Sequence, residues 1–491
     1  MSDIDHTNNG HTNKMERSLT KRHVQFIAIG GTIGTGLFLG SGKSISLTGP
    51  SIVFVYIIVG LIMFLLMRGI GELMYKDPNQ HTFISFITKY LGKGWGNFAG
   101  WSYWIVLVLI GMSEITAVST YCVTFFQTFG IDVSSWKWLI EVVFLAALVC
   151  INLVAVKLFG ETEFWFSMIK ITLIVALIAT AIVMVVVGYH YPATALHGGV
   201  VSPAGHAGFD NIFNNFSLMP NGWLAFLMSF QMVFYAYQLI EFVGVTVSET
   251  KNPRQVLPKA INEIIMRILI FYVGALASIM LIVPWQQFKA TDSKGVYMSP
   301  FIMVFQYAGL HWASALVFFV VITAASSALN SLLYSAGRHM YQIALESNSP
   351  VLSHLRKVSR TKVPARAIIF SAALILFSPI INSIPGVHGA FIVFASASSA
   401  VIIMIYILIM VTHRKYRASA DFMPDGFVMP HYKLLNSLTI AFFVFVYITL
   451  FISEDTRGSA IGGIIWLLLF GGYCALHQRW QNRDLAAALG R

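Results

Sequence analysis

Long apolar runs separated by short polar stretches recur along the whole chain. Twelve can be counted, at roughly 24–45, 50–74, 98–128, 138–157, 163–189, 222–247, 263–284, 309–345, 366–384, 389–412, 434–452 and 459–477. Each is near the ~20 residues that an α-helix needs to cross the hydrocarbon core. None alternates apolar and polar residues as a barrel strand would. The pattern predicts an all-α integral membrane protein with twelve transmembrane helices, the third and eighth long and tilted. Residues 1–20 read as a disordered polar tail, 21–480 as one transmembrane domain and 481–491 as a second tail.

Two spans carry interruptions. Span 1 contains Ile27–Phe38, IAIGGTIGTGLF, with Gly30, Gly31, Gly34, Gly36, Thr32 and Thr35. Each glycine weakens a helix by about 1 kcal/mol relative to alanine. A break at membrane depth survives only where it lines a cavity or a ligand. Its bare N–H groups and the positive end of the following half-helix suit a carboxylate. Span 6 holds Phe234-Tyr235-Ala236-Tyr237-Gln238-Leu239-Ile240-Glu241, with a carboxylate amid aromatic rings. The two spans are five helices apart, and an odd spacing gives the halves opposite orientation. That spacing points to an inverted-repeat transporter with its site between the breaks.

Composition narrows the class. The chain is 57% hydrophobic and 11% charged, with mean hydropathy +0.72; soluble domains carry roughly 25% charge. The net charge of +11 could suggest nucleic acid, but its distribution argues against that partner. With the N-terminus inside, 26 Lys and Arg fall on the cytoplasmic side, five lie outside, and Lys170 alone sits within a span. This is the positive-inside bias, and it places both termini in the cytoplasm. Cys122, Cys150 and Cys474 all fall inside spans and give neither a disulfide framework nor a metal site. No cofactor is called for. The longest loop, about 190–221, carries His190, His197 and His206 and reads as solvated rather than metal-binding.

Ionisable residues inside spans are expensive and therefore point to function. Glu114 lies mid-span 3 and Lys170 one to two turns into span 5. Each is weighed against simple pairing with a neighbouring helix. Arg68 and Glu72, four apart at the end of span 2, are expected to pair structurally at the interface. The face Thr323, Ser326, Ser327, Asn330, Ser331 and the group Ser396, Ser398, Ser399 fit helix packing.

Several runs carry a family resemblance: Leu19–His23, IAIGGTIGTGLFLGSG, MRGIGEL, GETEFWFSMIKI, SETKNPRQVLPKAIN and TAASSALNS. With these, the chain from about 18 to 415 resembles the amino acid–polyamine–organocation superfamily, within it the amino acid:proton symporters. GKSISLTGPSIVFVY and FGETEFWFSMIKI look most like D-serine/D-alanine/glycine transporters and serine/alanine permeases. The resemblance implies a five-plus-five inverted repeat of the LeuT type, about 22–189 and 222–413, with two extra helices over 434–477. It implies that the substrate carboxylate meets Thr35 and Gly36 N–H groups, with Gly34 permitting close approach. It sets the ammonium against carbonyls of Thr32, Tyr235, Ala236 and Gln238, in a pocket that Tyr237 and Leu239 adjoin. Glu241 is proton-linked in relatives, and Lys170 matches a lysine that replaces a coupling sodium ion. Proton rather than sodium coupling follows.

Relatives usually have glycine where this chain has Leu239, which suggests a reduced pocket for serine, alanine or glycine. Gln238 could then help a hydroxylated substrate. The leading expectation is a proton-coupled importer of small neutral amino acids in the plasma membrane of a bacterium, its partners being the substrate, protons and the bilayer. Exchange without net proton movement and transport of another amino acid class stay open. A sensor is disfavoured by the short tails. An enzyme is disfavoured because no nucleophile–base constellation stands out.

Overall fold

The computed structural model describes residues 33–78, 80, 82–127, 129–154, 156–195, 201–214, 216–242, 252–289, 299–309, 311–347, 349–382 and 389–488. The expected cytoplasmic N-tail, Thr32 and His197 lie outside the described residues. Among the described residues the regular structure is helical apart from two short antiparallel pairs in the long loop. There His190–Tyr191 pairs with Gly205–His206, and Thr194–Ala195 with Val201–Ser202.

In chain order the main helices are α1 (Thr35–Phe38), α2 (Gly40–Thr48), α3 (Ile52–Lys76), α4 (Ile84–Leu91), α5 (Lys93–Gln127), α6 (Lys137–Val154) and α7 (Val156–Val187). After the loop come α8 (Gly222–Ala236), α9 (Pro253–Arg267), a π-helical turn over Ile268–Gly274, and α10 (Ala275–Ile282). Then follow α11 (His311–Glu346), α12 (Ala365–Ile375), α13 (Ala390–Arg417), α14 (Tyr432–Thr449), α15 (Glu454–Trp466) and α16 (Gly472–Ala488).

Among the described residues, ten helical runs are long and apolar enough to cross a membrane. The first, Gly40–Lys76, holds parts of both the expected first and second spans and is interrupted at Gly49–Ser51, where Gly49 has φ 58°. The expected sixth span contributes only the shorter apolar helix α8.

Burial sorts these helices. The most apolar window of α5 is 83% buried, that of α11 78% and that of α13 72%. The window of Ser134–Val154 is 22% buried and that of Tyr432–Thr449 28%. The three central helices pack most extensively on one another, α5 against both α11 and α13. Small side chains permit this: Ala324, Ala325, Ser327, Ala328 and Ala336 are all buried on α11. In lipid, where apolar burial between helices gains little, close approach and interhelical hydrogen bonds do the packing. The outer helices instead expose Val186, Leu468 and Leu434, as a lipid-facing surface requires.

One expected pair is corrected. Glu72 is engaged by Arg417 at 2.5 Å and His413 at 3.0 Å, and accepts the Met429 N–H at 2.7 Å. Arg68 instead donates to the Val428 carbonyl and lies 3.9 Å from the Phe427 ring centroid. Both residues thus tie α3 to the end of α13 and the segment after it. The helix-surface rule missed this because a buried carboxylate takes the partners that desolvate best, wherever they lie in sequence.

Candidate functional site

The backbone leaves helical geometry at both expected places. Ile33 and Gly34 are non-helical, and Gly34 is extended (φ −121°, ψ −157°). Helix α1 starts at Thr35, with the N–H groups of Leu37 and Phe38 both directed to the Gly34 carbonyl. Helix α8 ends at Ala236, and Tyr237–Glu241 form a turn. Leu239 has φ 68°, a left-handed conformation rare for a large side chain.

The two breaks touch. A Cβ added at Gly36 would lie 2.6 Å from the Ala236 Cα, closer than real contacts allow. Only glycine lets the two backbones meet here. A Cβ at Gly34 would lie 2.9 Å from the Glu114 Oε1 and 3.3 Å from the Ala328 Cβ. Gly34 therefore opens the break to a carboxylate from α5.

That carboxylate accepts the Thr35 hydroxyl at 2.8 Å on Oε1. Its Oε2 is buried with no hydrogen-bond partner among the described residues. The hydroxyls of Tyr121 and Tyr235 are buried too and feel the Glu114 charge; Tyr121 faces the Ser299 hydroxyl, and Tyr235 those of Ser113 and Thr35. A buried carboxylate oxygen without a partner is uncommon in folded proteins. Its position beside the two breaks, among these hydroxyls, suits a polar ligand or water.

Lys170 is wholly buried and donates to the Ile33 carbonyl at 3.2 Å and to Ser327 Oγ at 3.0 Å. An ammonium thus satisfies a carbonyl beside the first break. Glu241, equally buried, accepts from Tyr103 at 3.1 Å on one oxygen and Tyr406 at 2.6 Å on the other.

The sequence-derived set divides in this geometry. Gly34, Thr35, Gly36, Tyr235, Ala236, Glu114 and, through Ile33, Lys170 gather at the junction of the breaks. Tyr237 turns away: its hydroxyl donates to the Tyr56 carbonyl at 3.0 Å and its ring stacks on Tyr272 at 4.5 Å. Gln238 donates to Ser399 at 2.7 Å and accepts from Ser398 at 3.1 Å. Its amide is held by α13, which leaves one N–H and one lone pair for the suggested help to a substrate hydroxyl. Sequence reasoning did not single out Tyr103, Tyr406 or Arg267. Arg267, counted with the cytoplasmic cations, is buried and bonded to Tyr272, whose hydroxyl reaches the Ala236 carbonyl at 3.2 Å. A buried arginine in an apolar run was the available signal.

Comparison with known proteins decides the family. The amino acid permease family matches residues 23–484. The chain belongs to the amino acid permease family. A DL-alanine permease of Lactococcus lactis subsp. cremoris is 44% identical over 456 residues, covering 93% of this chain and 94% of the relative. A serine permease of the same organism is 44% identical, covering 93% and 96%. The D-serine/D-alanine/glycine transporter of Escherichia coli K12 is 38% identical, covering 93% of each. As a member of the permease family, the protein is a multi-pass membrane transporter and not an enzyme.

Proposed function

We propose that the protein imports small neutral amino acids — serine, alanine or glycine of either hand — in symport with protons across a bacterial plasma membrane. The observation that carries this reading is the meeting of two helix ends at Gly36 and Ala236, each next to a non-helical break, beside the open Glu114 oxygen. Backbone N–H groups of Thr35 and Gly36 would take the carboxylate at the positive end of a half-helix. Carbonyls of Thr32, Tyr235, Ala236 and Gln238 would take the ammonium. The Ala236 carbonyl already accepts from Tyr272, yet a carbonyl has a second lone pair to offer.

The substrate class rests on the names of the relatives together with Leu239, whose side chain fills space beside the turn. Glu241, Lys170 and Glu114 are the candidate proton carriers. We further read the chain as twelve spans with both termini cytoplasmic, two inverted repeats over about 22–189 and 222–413, and two added helices. Alternating access would then be one bundle rocking around the site. The preference for proton over sodium coupling is supported by Lys170, whose ammonium donates to the Ile33 carbonyl and so sets a titratable cation beside the first break.

Uptake of labelled L-serine into proteoliposomes under an imposed pH gradient tests the proposal. Competitors are L-alanine, glycine, D-serine, D-alanine, threonine, lysine and phenylalanine. Gradient-driven accumulation blocked by the small amino acids alone is the expected result. Block by lysine or phenylalanine overturns the substrate class. Uptake only into vesicles preloaded with substrate makes the protein an exchanger.

A further inference from the structure

We propose that Glu163 is the proton acceptor for Lys170, with the Ser327 hydroxyl as the relay between them. The inference rests on the proton-coupled reading above and adds a residue and a route to it. Glu163 and Lys170 are seven residues apart on α7, hence about 10.5 Å along its axis. Ser327 of α11 fills the gap: Lys170 Nζ donates to its Oγ at 3.0 Å, and that Oγ donates to Glu163 Oε2 at 2.8 Å. All three residues are fully buried.

A hydroxyl has one proton to give. Because Ser327 spends it on Glu163, Ser327 can only accept from Lys170, and the chain has one direction. Transfer breaks one Lys170 N–H bond as Ser327 takes that proton. Ser327 passes its own proton to Glu163, forming a carboxylic acid. An ammonium and a carboxylate become an amine and an acid, so no separated charge is left in the apolar interior. The other Glu163 oxygen accepts from Asn330 at 2.8 Å, and Asn330 Oδ1 accepts from Asn152 of α6 at 2.7 Å. This holds the carboxylate for the hop and ties the relay to a third helix.

The charges that face the pair are Glu114 from α5 and Arg267 from α9, both acting on Lys170. Loss of the Lys170 charge weakens its hold on the Ile33 carbonyl. The relay therefore links proton release to freedom of the first break.

The test uses the full chain in proteoliposomes with a pH-sensitive dye in the lumen, comparing wild type, Glu163→Gln, Ser327→Ala and Ser327→Thr. Substrate counterflow at equal pH needs no net proton transfer, whereas accumulation under a pH gradient does. We expect Glu163→Gln and Ser327→Ala to lower accumulation at least roughly tenfold, the scale of a lost proton-transfer group, and counterflow less than about threefold. Ser327→Thr, which keeps the hydroxyl, restores accumulation. Wild-type accumulation in Glu163→Gln overturns the relay while leaving symport intact. Equal loss of both activities in Ser327→Ala and Ser327→Thr also overturns it, since that marks a packing role. A wild-type protein that accumulates substrate without acidifying the lumen removes the proton-coupled reading and the relay together.

Discussion

Glu114 and Glu241 sit beside the two breaks, equally buried, and are held in opposite ways. Glu241 has a hydroxyl on each oxygen, Tyr103 from α5 and Tyr406 from α13, so it joins three elements with both acceptors engaged. Glu114 has Thr35 on one oxygen and nothing among the described residues on the other. A buried carboxylate with both oxygens satisfied holds a shape, and one with an open oxygen is poised to meet something that arrives. Within the proposed function, the second break is then a latch between helices and the first a ligand-facing site.

The comparison presumes that the two breaks form one junction, and Gly36→Ala breaks that presumption most severely. The new methyl would sit 2.6 Å from the Ala236 Cα, which is backbone and cannot swing aside. Overpacking of this kind costs about 1–3 kcal/mol even where neighbours relax. We expect uptake to fall below roughly a tenth of wild type, with a lowered thermal midpoint in detergent. Wild-type uptake in this variant would falsify the close approach of the two segments.

The next effect separates the carboxylates themselves. Glu241→Gln removes the carboxylate of the latch while keeping its shape; if Glu241 carries the coupled proton as proposed, gradient-driven accumulation falls roughly tenfold more than counterflow does. Glu114→Gln should act on binding. Its open oxygen is the one free to meet the ligand, so its replacement should shift KM by about threefold, less than 1 kcal/mol, with the accumulation ratio little changed. Matched KM values and accumulation ratios in the two variants would erase the distinction between latch and ligand-facing site.

Much of this was legible in the sequence, and its limits have physical causes. The glycines of span 1 and the acids Glu114 and Glu241 announced themselves because lipid leaves few reasons to put such residues there. Glu163, equally buried, stood at the start of a span and was passed over. The serines of α11 and α13 were set aside as packing, yet Ser327 bridges Lys170 and Glu163, and Ser398 and Ser399 hold Gln238. Serine packs and hydrogen-bonds with equal ease, so spacing alone cannot sort its uses. Tyr103 and Tyr406 were hidden for a related reason. Aromatic residues abound in membrane helices, and only the fold, which brings positions 103, 241 and 406 together, tells a partner from a packing residue. Arg68 and Glu72 show the converse error, where sequence proximity suggested a pair that long-range partners displaced.

The smallest effect is expected at Leu239, and it sharpens the comparison from the side of the second break. Leu239 adopts φ 68°, where a side chain costs about 1–2 kcal/mol and glycine nothing. Leu239→Gly relieves that strain. It also enlarges the conformational freedom lost on folding by about 1 kcal/mol and forfeits the contacts of a buried isobutyl group. These terms oppose one another, so the thermal midpoint should move by only a few degrees. Selectivity carries the signal. If Leu239 narrows the pocket, the glycine variant admits threonine and valine as competitors of serine uptake while Glu241 keeps its two tyrosines and coupling persists. An unaltered competition profile would mean that Leu239 shapes the turn alone, and that substrate size is read on the Glu114 side of the junction.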